Sequence, residues 1–234
     1  LIDAGIDNFS ACYEDYYEAD VLFISGSDPY ETKTILFNQW IKRGIEEKDN
    51  RVIMVNPRKT SGVAYVEEMD GLHLAIMPGT DTLLHLALMR IILENGWEDT
   101  DFINNYVSTP LDQKKYKKSQ RKVPWRWMSS YDDFKAESFD DYKAWILQSK
   151  ESQLHFVKER TGLSADQIFT TAELLAKPKK NGQRPKTSFF FEKGLYWSNN
   201  YLNTASLASL ALICGGGNRP GQMISRMGGH QRGG

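Results

Sequence analysis

Cysteine is scarce in this sequence of 234 residues, which contains only Cys12 and Cys214. Two cysteines cannot form a four-cysteine metal site, and their wide separation does not identify a redox compartment. No apolar run reaches the ~18 residues that a membrane-spanning helix needs. Lysine and arginine (29) nearly balance aspartate and glutamate (30), so the charge gives no electrostatic reason to expect a nucleic-acid partner.

Two common phosphate-binding signatures are also missing from the sequence. It has neither a Gly-x-Gly-x-x-Gly run nor a phosphate-loop lysine motif, so neither the usual dinucleotide fold nor an ATPase is indicated. The composition, 41% hydrophobic and 25% charged, is close to the globular average and excludes disordered and fibrous classes. Because the chain starts at Leu1 without Met and stops in a glycine-rich stretch, we expect a piece of a longer protein.

Short apolar runs alternate with segments of helical periodicity. The runs at 19–25, 51–56, 72–76 and 187–192 predict strands buried on both faces. Helical spacing predicts helices at 31–47, 82–95, 140–148, 153–161, 165–176 and 203–214. This order predicts one α/β domain over residues 1–234, a parallel-rich sheet flanked by helices, with a helical and loop insertion at about 98–180. The basic segment 112–126 is interpreted as a solvated loop, with contact to a partner as the alternative.

Three loops directly after predicted strands contain residues suited to a nucleotide-like ligand. Ligands bind beyond the carboxyl ends of strands in open α/β sheets, and loops that open helices offer free N–H groups to phosphate. Asn56 could bond a ribose hydroxyl, Arg58 could hold phosphate or stack on a base, and Asp81 could accept two N–H bonds from guanine. The alternative is that the loops are ordinary turns, with Asp28 and Asp81 as helix caps. Three such loops on one sheet edge favour the ligand.

The C-terminal segment 215–234 is rich in glycine and carries three polar groups of interest. Glycine lets backbone approach a ligand closely. Arg226, His230 and Arg232 bring cationic or proton-donating groups into that segment. The alternative is a flexible, solvated tail.

Several runs in the sequence resemble the large subunit of arsenite oxidase, in the dimethyl sulfoxide reductase superfamily of molybdenum enzymes. The branch also includes the catalytic subunit of iodate reductase. The runs follow the same order over almost the whole chain: ADVLFISGSDPYET (19–32), VNPRKT (55–60), PGTD (78–81), EKGLYW (192–197) and GNRPGQMISRMGGHQ (217–231). The last run is the most specific of them.

The resemblance implies molybdenum held between two molybdopterin guanine dinucleotides, one of them cradled by this domain. It assigns cofactor binding to the pyrophosphate loop (Gly26, Asp28, Pro29, Tyr30, Glu31), the ribose and guanine loops (Asn56, Arg58, Asp81), a later loop (Lys193, Gly194, Trp197) and Gly229 and Gln231. It assigns the oxyanion pocket over the metal to Arg226 and His230, with Arg232 beside them. No residue of this chain is assigned as a metal ligand, and the family's iron–sulfur ligands would lie upstream.

The expected activity is oxygen-atom transfer on a small inorganic oxyacid, with arsenite oxidation as the first expectation. Iodate reduction is the alternative, because arsenite oxidases have an acidic residue after His-Gln where this sequence has Arg232. Arsenous acid is neutral at pH 7 and iodate is an anion, which a cation would favour. The resemblance further implies a small Rieske-type iron–sulfur subunit and a periplasmic location. Outside this class, a non-catalytic nucleotide-binding module and an interaction domain using residues 114–122 remain as hypotheses.

Overall fold

A five-stranded, fully parallel sheet forms the centre of the computed structural model, which describes residues 11–107, 136–217 and 219–227 and only the backbone of 198–201. The strands are β1 (Val21–Ser25), β2 (Arg51–Val55), β3 (Leu72–Leu74), β4 (Thr187–Phe191) and β5 (Ile224–Arg226). Their order across the sheet is β3-β2-β1-β4-β5. The chain therefore builds outward in one direction from β1 to β3, and in the other through β4 and β5. The predicted fold class is confirmed.

Helices connect and cover the strands. Those of the described ranges are α1 (Glu14–Glu18), α2 (Pro29–Thr32), α3 (Thr34–Leu36), α4 (Lys42–Lys48), α5 (Ser61–Glu68), α6 (Asp81–Glu94), α7 (Thr100–Tyr106), α8 (Phe139–Gln148), α9 (Leu154–Thr161), α10 (Ala165–Ala176) and α11 (Lys193–Ile213). A π-helical turn (Phe37–Ile41) joins α3 to α4, and a 3-10 turn (Lys150–Ser152) precedes α9. None of these helices is long and apolar enough to cross a bilayer.

Each face of the sheet is covered by its own hydrophobic core. On β1, Phe23 packs into a core shared with α6, α10 and α11, while Leu22 and Ile24 pack into a second core with α4 and α5. All five residues of β1 are buried. This two-sided burial explains why the strands are continuous apolar runs rather than alternating ones.

Two helices differ from their sequence predictions. The predicted helix 31–47 is interrupted at Lys33, whose φ of −142° is not helical, so α2, α3, the π-turn and α4 replace it. The predicted helix 203–214 starts ten residues earlier, at Lys193. Its first turn contains Gly194, which disfavours a helix and hides this start in the sequence.

Four elements of the described ranges were missing from the sequence prediction, namely the helices α1, α5 and α7 and the strand β5. Helix α5 lies between β2 and β3, where none was predicted, and parallel strands require such a crossover. Strand β5 is only three residues long and lies in the segment interpreted as irregular. Within the predicted insertion, α8, α9 and α10 contribute buried residues to the core that contains α6. The basic segment 112–126 lies outside the described residues.

Candidate functional site

The predicted ligand loops lie at one edge of the sheet, because all five strands are parallel. Across this edge, the segment that leads to Asp81 follows β3, the loop after Val55 follows β2, and the loop after Ser25 follows β1. On the other side of β1, the segment after Phe191 follows β4, and Arg226 ends β5. The strand order reverses between β1 and β4. Open α/β sheets bind their ligands outside the carboxyl ends at such a reversal.

Gly26, in the loop after β1, contacts Gly194 at this reversal. Gly194, like Lys193 and Trp197, belongs to the start of α11 and not to the loop expected from the sequence. The Gly194 N–H donates to the Gly26 carbonyl over 3.0 Å. A Cβ on Gly26 would lie 2.1 Å from the Leu195 nitrogen, and the φ of Gly26 is +65°. The close approach and the left-handed backbone therefore both require glycine at position 26.

Asp28 forms the N-terminal cap of α2. Its Oδ1 accepts from the backbone N–H of Tyr30 at 3.0 Å and of Glu31 at 3.4 Å, and Pro29 occupies the first helical position. The alternative of a helix cap is thus observed for Asp28. Its Oδ2 is nevertheless buried with no hydrogen-bond partner among the described residues, as is the Oγ of Ser25 at the end of β1. These two oxygen atoms therefore retain hydrogen-bonding capacity that the described residues do not use.

The loop after β2 contains Asn56, whose side chain is hydrogen-bonded, and Arg58, whose side chain is exposed. The Asn56 Oδ1 accepts from the Arg58 N–H at 3.0 Å, which makes a local turn, and the Asn56 carbonyl is 2.8 Å from the His73 Nε2. The Arg58 side chain is exposed and has no hydrogen-bond or ionic partner within the described ranges. An exposed guanidinium on a fixed turn can pair with phosphate or stack on a base.

Asp81 is the first residue of α6, and its side chain does not cap that helix. The residue is 6% exposed, and burial raises the pKa of its carboxyl from 3.8 to about 6. It accepts a hydrogen bond from its own backbone N–H and a long one from the Asn203 Nδ2 at 3.4 Å. A buried carboxylate with so little compensation is costly, and two N–H donors from a ligand would offset that cost.

Asn203, in α11, connects the Asp81 loop with the start of its own helix. Its Nδ2 also donates to the Leu195 carbonyl at 3.0 Å, and its Oδ1 accepts from the Thr82 hydroxyl at 2.7 Å. The residue is fully buried. One side chain thus bonds to the first turns of α6 and α11, the helices that follow β3 and β4.

The carboxylate of Glu192, at the end of β4, contacts three polar side chains. The Arg226 Nε donates to the Glu192 Oε1 at 2.6 Å, and the Tyr196 hydroxyl donates to the same oxygen at 3.2 Å. The Lys33 Nζ is 3.9 Å from the Oε2. The hydrogen bond to Glu192 raises the pKa of Arg226, whereas burial lowers the pKa of Lys33. The predicted catalytic Arg226 is therefore anchored inside this chain.

Lys193 and Trp197 lie one turn apart at the start of α11. The Lys193 Nζ is 4.9 Å from the Trp197 ring centroid, and the indole is 72% exposed. Of the remaining predicted site residues, Gly229, His230, Gln231 and Arg232 lie outside the described residues. Within the described ranges, no group of three or more His, Cys, Asp or Glu side chains could hold a metal ion.

Four residues at this edge were not assigned from the sequence: Ser25, Lys33, Glu192 and Asn203. Glu192 opens the EKGLYW run and Lys33 follows the β1 loop, so both were adjacent to assigned residues. Asn203 had no such signal, because its partner Asp81 is 122 residues away in sequence.

Comparison with known proteins gives a consistent picture. Residues 6–232 match the family described as Molybdopterin oxidoreductase. The chain is 51% identical over its whole length to the iodate reductase subunit IdrA of Denitromonas iodatirespirans and covers 26% of that protein. It is 31% identical over 99% of its length to the arsenite oxidase subunit AioA of Herminiimonas arsenicoxydans, again covering 26%. The chain thus spans about a quarter of the length of these relatives.

A solved structure has the same fold. Acetylene hydratase from Pelobacter acetylenicus aligns with a TM-score of 0.57 and 18% identity, over 94% of this chain and 24% of that protein. At this level of identity the likeness concerns the fold alone.

Proposed function

Since this chain belongs to the molybdopterin oxidoreductase family, we propose that it is the part of a molybdenum oxidoreductase that holds one molybdopterin cofactor against the carboxyl edge of its sheet. The observation that carries the proposal is the convergence of the edge segments at the reversal of strand order, where Gly26 and Gly194 touch. The proposal concerns a longer protein, of which these residues are one part.

The residues of the edge suit such a cofactor. Asp28 and Ser25 retain buried oxygen atoms with no partner in the described part of the chain, and Arg58 offers an unpaired guanidinium to phosphate. Gly26 and Gly194 keep the backbone free of side chains at the point of closest approach between the two segments. Together these groups provide both donors and acceptors for a polar, phosphate-bearing ligand.

We further propose the guanine dinucleotide form of the cofactor. The support is the carboxylate of Asp81, whose pKa is raised by burial and whose only side-chain hydrogen bond within the described ranges is the long one from Asn203. The Watson–Crick edge of guanine presents adjacent N–H donors, which match the two oxygens of one carboxylate. Asn203 would keep the carboxylate in place through its contacts to the first turns of α6 and α11.

The proposed substrate is iodate, ahead of arsenite. Identity to the iodate reductase subunit (51%) is well above identity to the arsenite oxidase subunit (31%) over nearly the same residues. This reverses the order expected from the sequence motifs, in which arsenite oxidation came first. The cation at Arg232 agrees with an anionic substrate. Arsenite oxidation stays as the second candidate, because that similarity also extends over 99% of the chain.

In this proposal the residues of the chain bind and orient, and the cofactor supplies two-electron oxygen-atom transfer when bound. Arg226 would donate charge-assisted hydrogen bonds to a substrate oxygen. His230 would orient the substrate or exchange a proton near neutral pH. Asp81 would hold the guanine end of the cofactor by accepting its N–H groups.

The iron–sulfur cluster upstream, the Rieske-type small subunit and the periplasmic location are also proposals. Their support is the family resemblance, and both named relatives are described as subunits.

Activity of the purified full-length protein tests this proposal. Reduction of iodate with a reduced dye as electron donor should exceed oxidation of arsenite with the oxidised dye, compared by kcat/KM. Arsenite oxidation as the faster reaction would restore the second candidate. Activity on neither oxyacid would contradict both.

A further inference from the structure

We infer that Glu192 is a positioning residue, which holds the Arg226 guanidinium by its Nε and leaves the Nη edge for an oxyacid substrate. This inference rests on the function proposed above, because it assumes that Arg226 faces the substrate. Glu192 itself is 7% exposed and would act on the substrate through Arg226.

Three contacts fix the orientation of the guanidinium. The Nε donates to the Glu192 Oε1 at 2.6 Å, and the guanidinium carbon lies 5.1 Å from the centre of the Tyr196 ring. The Tyr196 hydroxyl in turn donates to the same Oε1 at 3.2 Å. The carboxylate and the aromatic face therefore restrain both the position and the plane of the guanidinium.

This arrangement uses one of the five N–H donors of Arg226. The four Nη donors have no hydrogen-bond partner within the described ranges. Two parallel N–H groups on the Nη edge form the fork that binds two oxygens of one anion. Anchoring through the Nε therefore preserves the bidentate edge, whereas a carboxylate bound to the Nη edge would block it.

Glu192 also faces a second cation, since the Lys33 Nζ lies 3.9 Å from its Oε2. The carboxylate is thus shared by Lys33 and Arg226. If Glu192 acted only through its charge, neutralising it would leave these cations uncompensated and would strengthen anion binding. If Glu192 acts by holding the Arg226 Nε in place, substrate binding depends more on the length of the Glu192 side chain than on its charge. The two accounts predict different results for two conservative variants.

Glu192→Asp and Glu192→Gln in the full-length protein separate these accounts. Aspartate keeps the charge but is one methylene shorter, so it cannot hold the Nε in the same place. Glutamine keeps the reach and an oxygen acceptor but loses the charge. We expect Glu192→Asp to raise KM for iodate roughly tenfold with a smaller change in kcat, and Glu192→Gln to stay within roughly threefold of the wild type.

Glu47 provides the matched control. It accepts from the Arg43 Nε at 3.0 Å and from the Tyr17 hydroxyl at 2.9 Å, and Arg43 lies 5.2 Å from the Tyr17 ring centre. This is the same trio of side chains on an exposed face of α4. Glu47→Asp should leave KM and kcat at wild-type values.

Two further measurements do not depend on turnover. Molybdenum and pterin content should be the same in both Glu192 variants and the wild type, because Glu192 is assigned to the substrate arginine and not to the cofactor. Iodate added without an electron donor should raise the melting temperature of the wild type and Glu192→Gln more than that of Glu192→Asp.

The inference is overturned if Glu192→Asp behaves as the wild type, or if Glu192→Gln binds iodate as weakly as Glu192→Asp. Failure of the proposed function gives a different result, namely a wild-type protein that does not turn over iodate. In that case the same two variants are compared with arsenite, and an equal KM in both overturns the inference there as well.

Discussion

The N–H of Gly194 donates to the carbonyl of Gly26 over 3.0 Å, which joins the first turn of α11 to the loop after β1 at the reversal of strand order. The contact is between backbones and leaves no room for a side chain on either residue. It sets the spacing of the two segments from which Asp28 and Glu192 extend. The geometry of the edge thus depends on two residues with no side-chain chemistry.

Gly26→Ala should destabilise the full-length protein by about 3 kcal/mol or more, because the added Cβ would meet the Leu195 nitrogen at 2.1 Å and the left-handed backbone adds strain. Gly182→Ala is the control. Gly182 has a φ of +80° with no atom within 4 Å of an added Cβ, so only the strain remains, about 1 kcal/mol. Chemical unfolding of both variants measures the difference. Equal losses would refute steric contact at Gly26.

Asp81→Asn should stabilise the cofactor-free full-length protein above pH 6 and leave it unchanged below pH 4. The carboxyl has a folded pKa of about 6 against an ordinary 3.8, so the folded state keeps a proton that the unfolded chain loses. Wild-type stability therefore falls as pH rises from 4 to 6, by up to ~3 kcal/mol. Melting temperatures of the wild type and Asp81→Asn between pH 4 and pH 6 test whether wild-type stability falls as pH rises.

The same variant should lose cofactor, since the amide presents an NH2 donor where the carboxylate has its second acceptor oxygen, and this donor would face a guanine N–H. Asp101→Asn is the control, because Asp101 is an exposed carboxylate in the first turn of α7. It should change neither the pH profile nor the molybdenum content. Full molybdenum and pterin occupancy in Asp81→Asn would contradict the guanine role.

His85→Leu should make the protein less sensitive to acid. His85 is fully buried in the contact between α6 and α11, where its Nδ1 lies 2.8 Å from the Ser206 hydroxyl, and burial lowers its pKa from 6.5 to about 3. The unfolded chain binds a proton below pH 6.5 that the folded state excludes. Wild-type stability is thus lost as pH falls through this range, by up to ~1.4 kcal/mol per pH unit.

Acid unfolding of His85→Leu beside His155→Leu measures this effect. His155 is exposed on α9, so its replacement should leave the acid profile as in the wild type. Identical profiles for the two variants would show that His85 does not limit stability in acid.

Arg232→Glu should weaken iodate roughly tenfold or more, about 1.4 kcal/mol, and affect neutral arsenous acid much less. The expectation comes from the sequence, since Arg232 lies outside the described residues and stands where arsenite oxidases have an acidic residue. Steady-state kinetics with both substrates on both forms checks it. Equal effects on the two substrates would remove the charge argument.

The sheet and the position of the predicted loops at its carboxyl edge were predictable because their signals are local. The four predicted strands lie in largely apolar runs, and the loop residues follow those runs directly. The break at Lys33 and the short strand β5 were not predictable, because tertiary packing rather than local composition determines them. The ion pair of Glu192 with Arg226 joins residues 34 positions apart, and the bond of Asn203 to Asp81 spans 122. Such contacts leave no periodic pattern in a single sequence.

The central claim, that the edge of this sheet holds a molybdopterin cofactor, is tested most directly by analysing the purified full-length protein for metal and pterin. The account predicts molybdenum at about one atom per chain, together with pterin and with guanine nucleotide released on hydrolysis. A correctly folded protein that contains no molybdenum or pterin, and that binds a free guanine nucleotide at the same loops, would contradict the account and support a non-catalytic nucleotide-binding module.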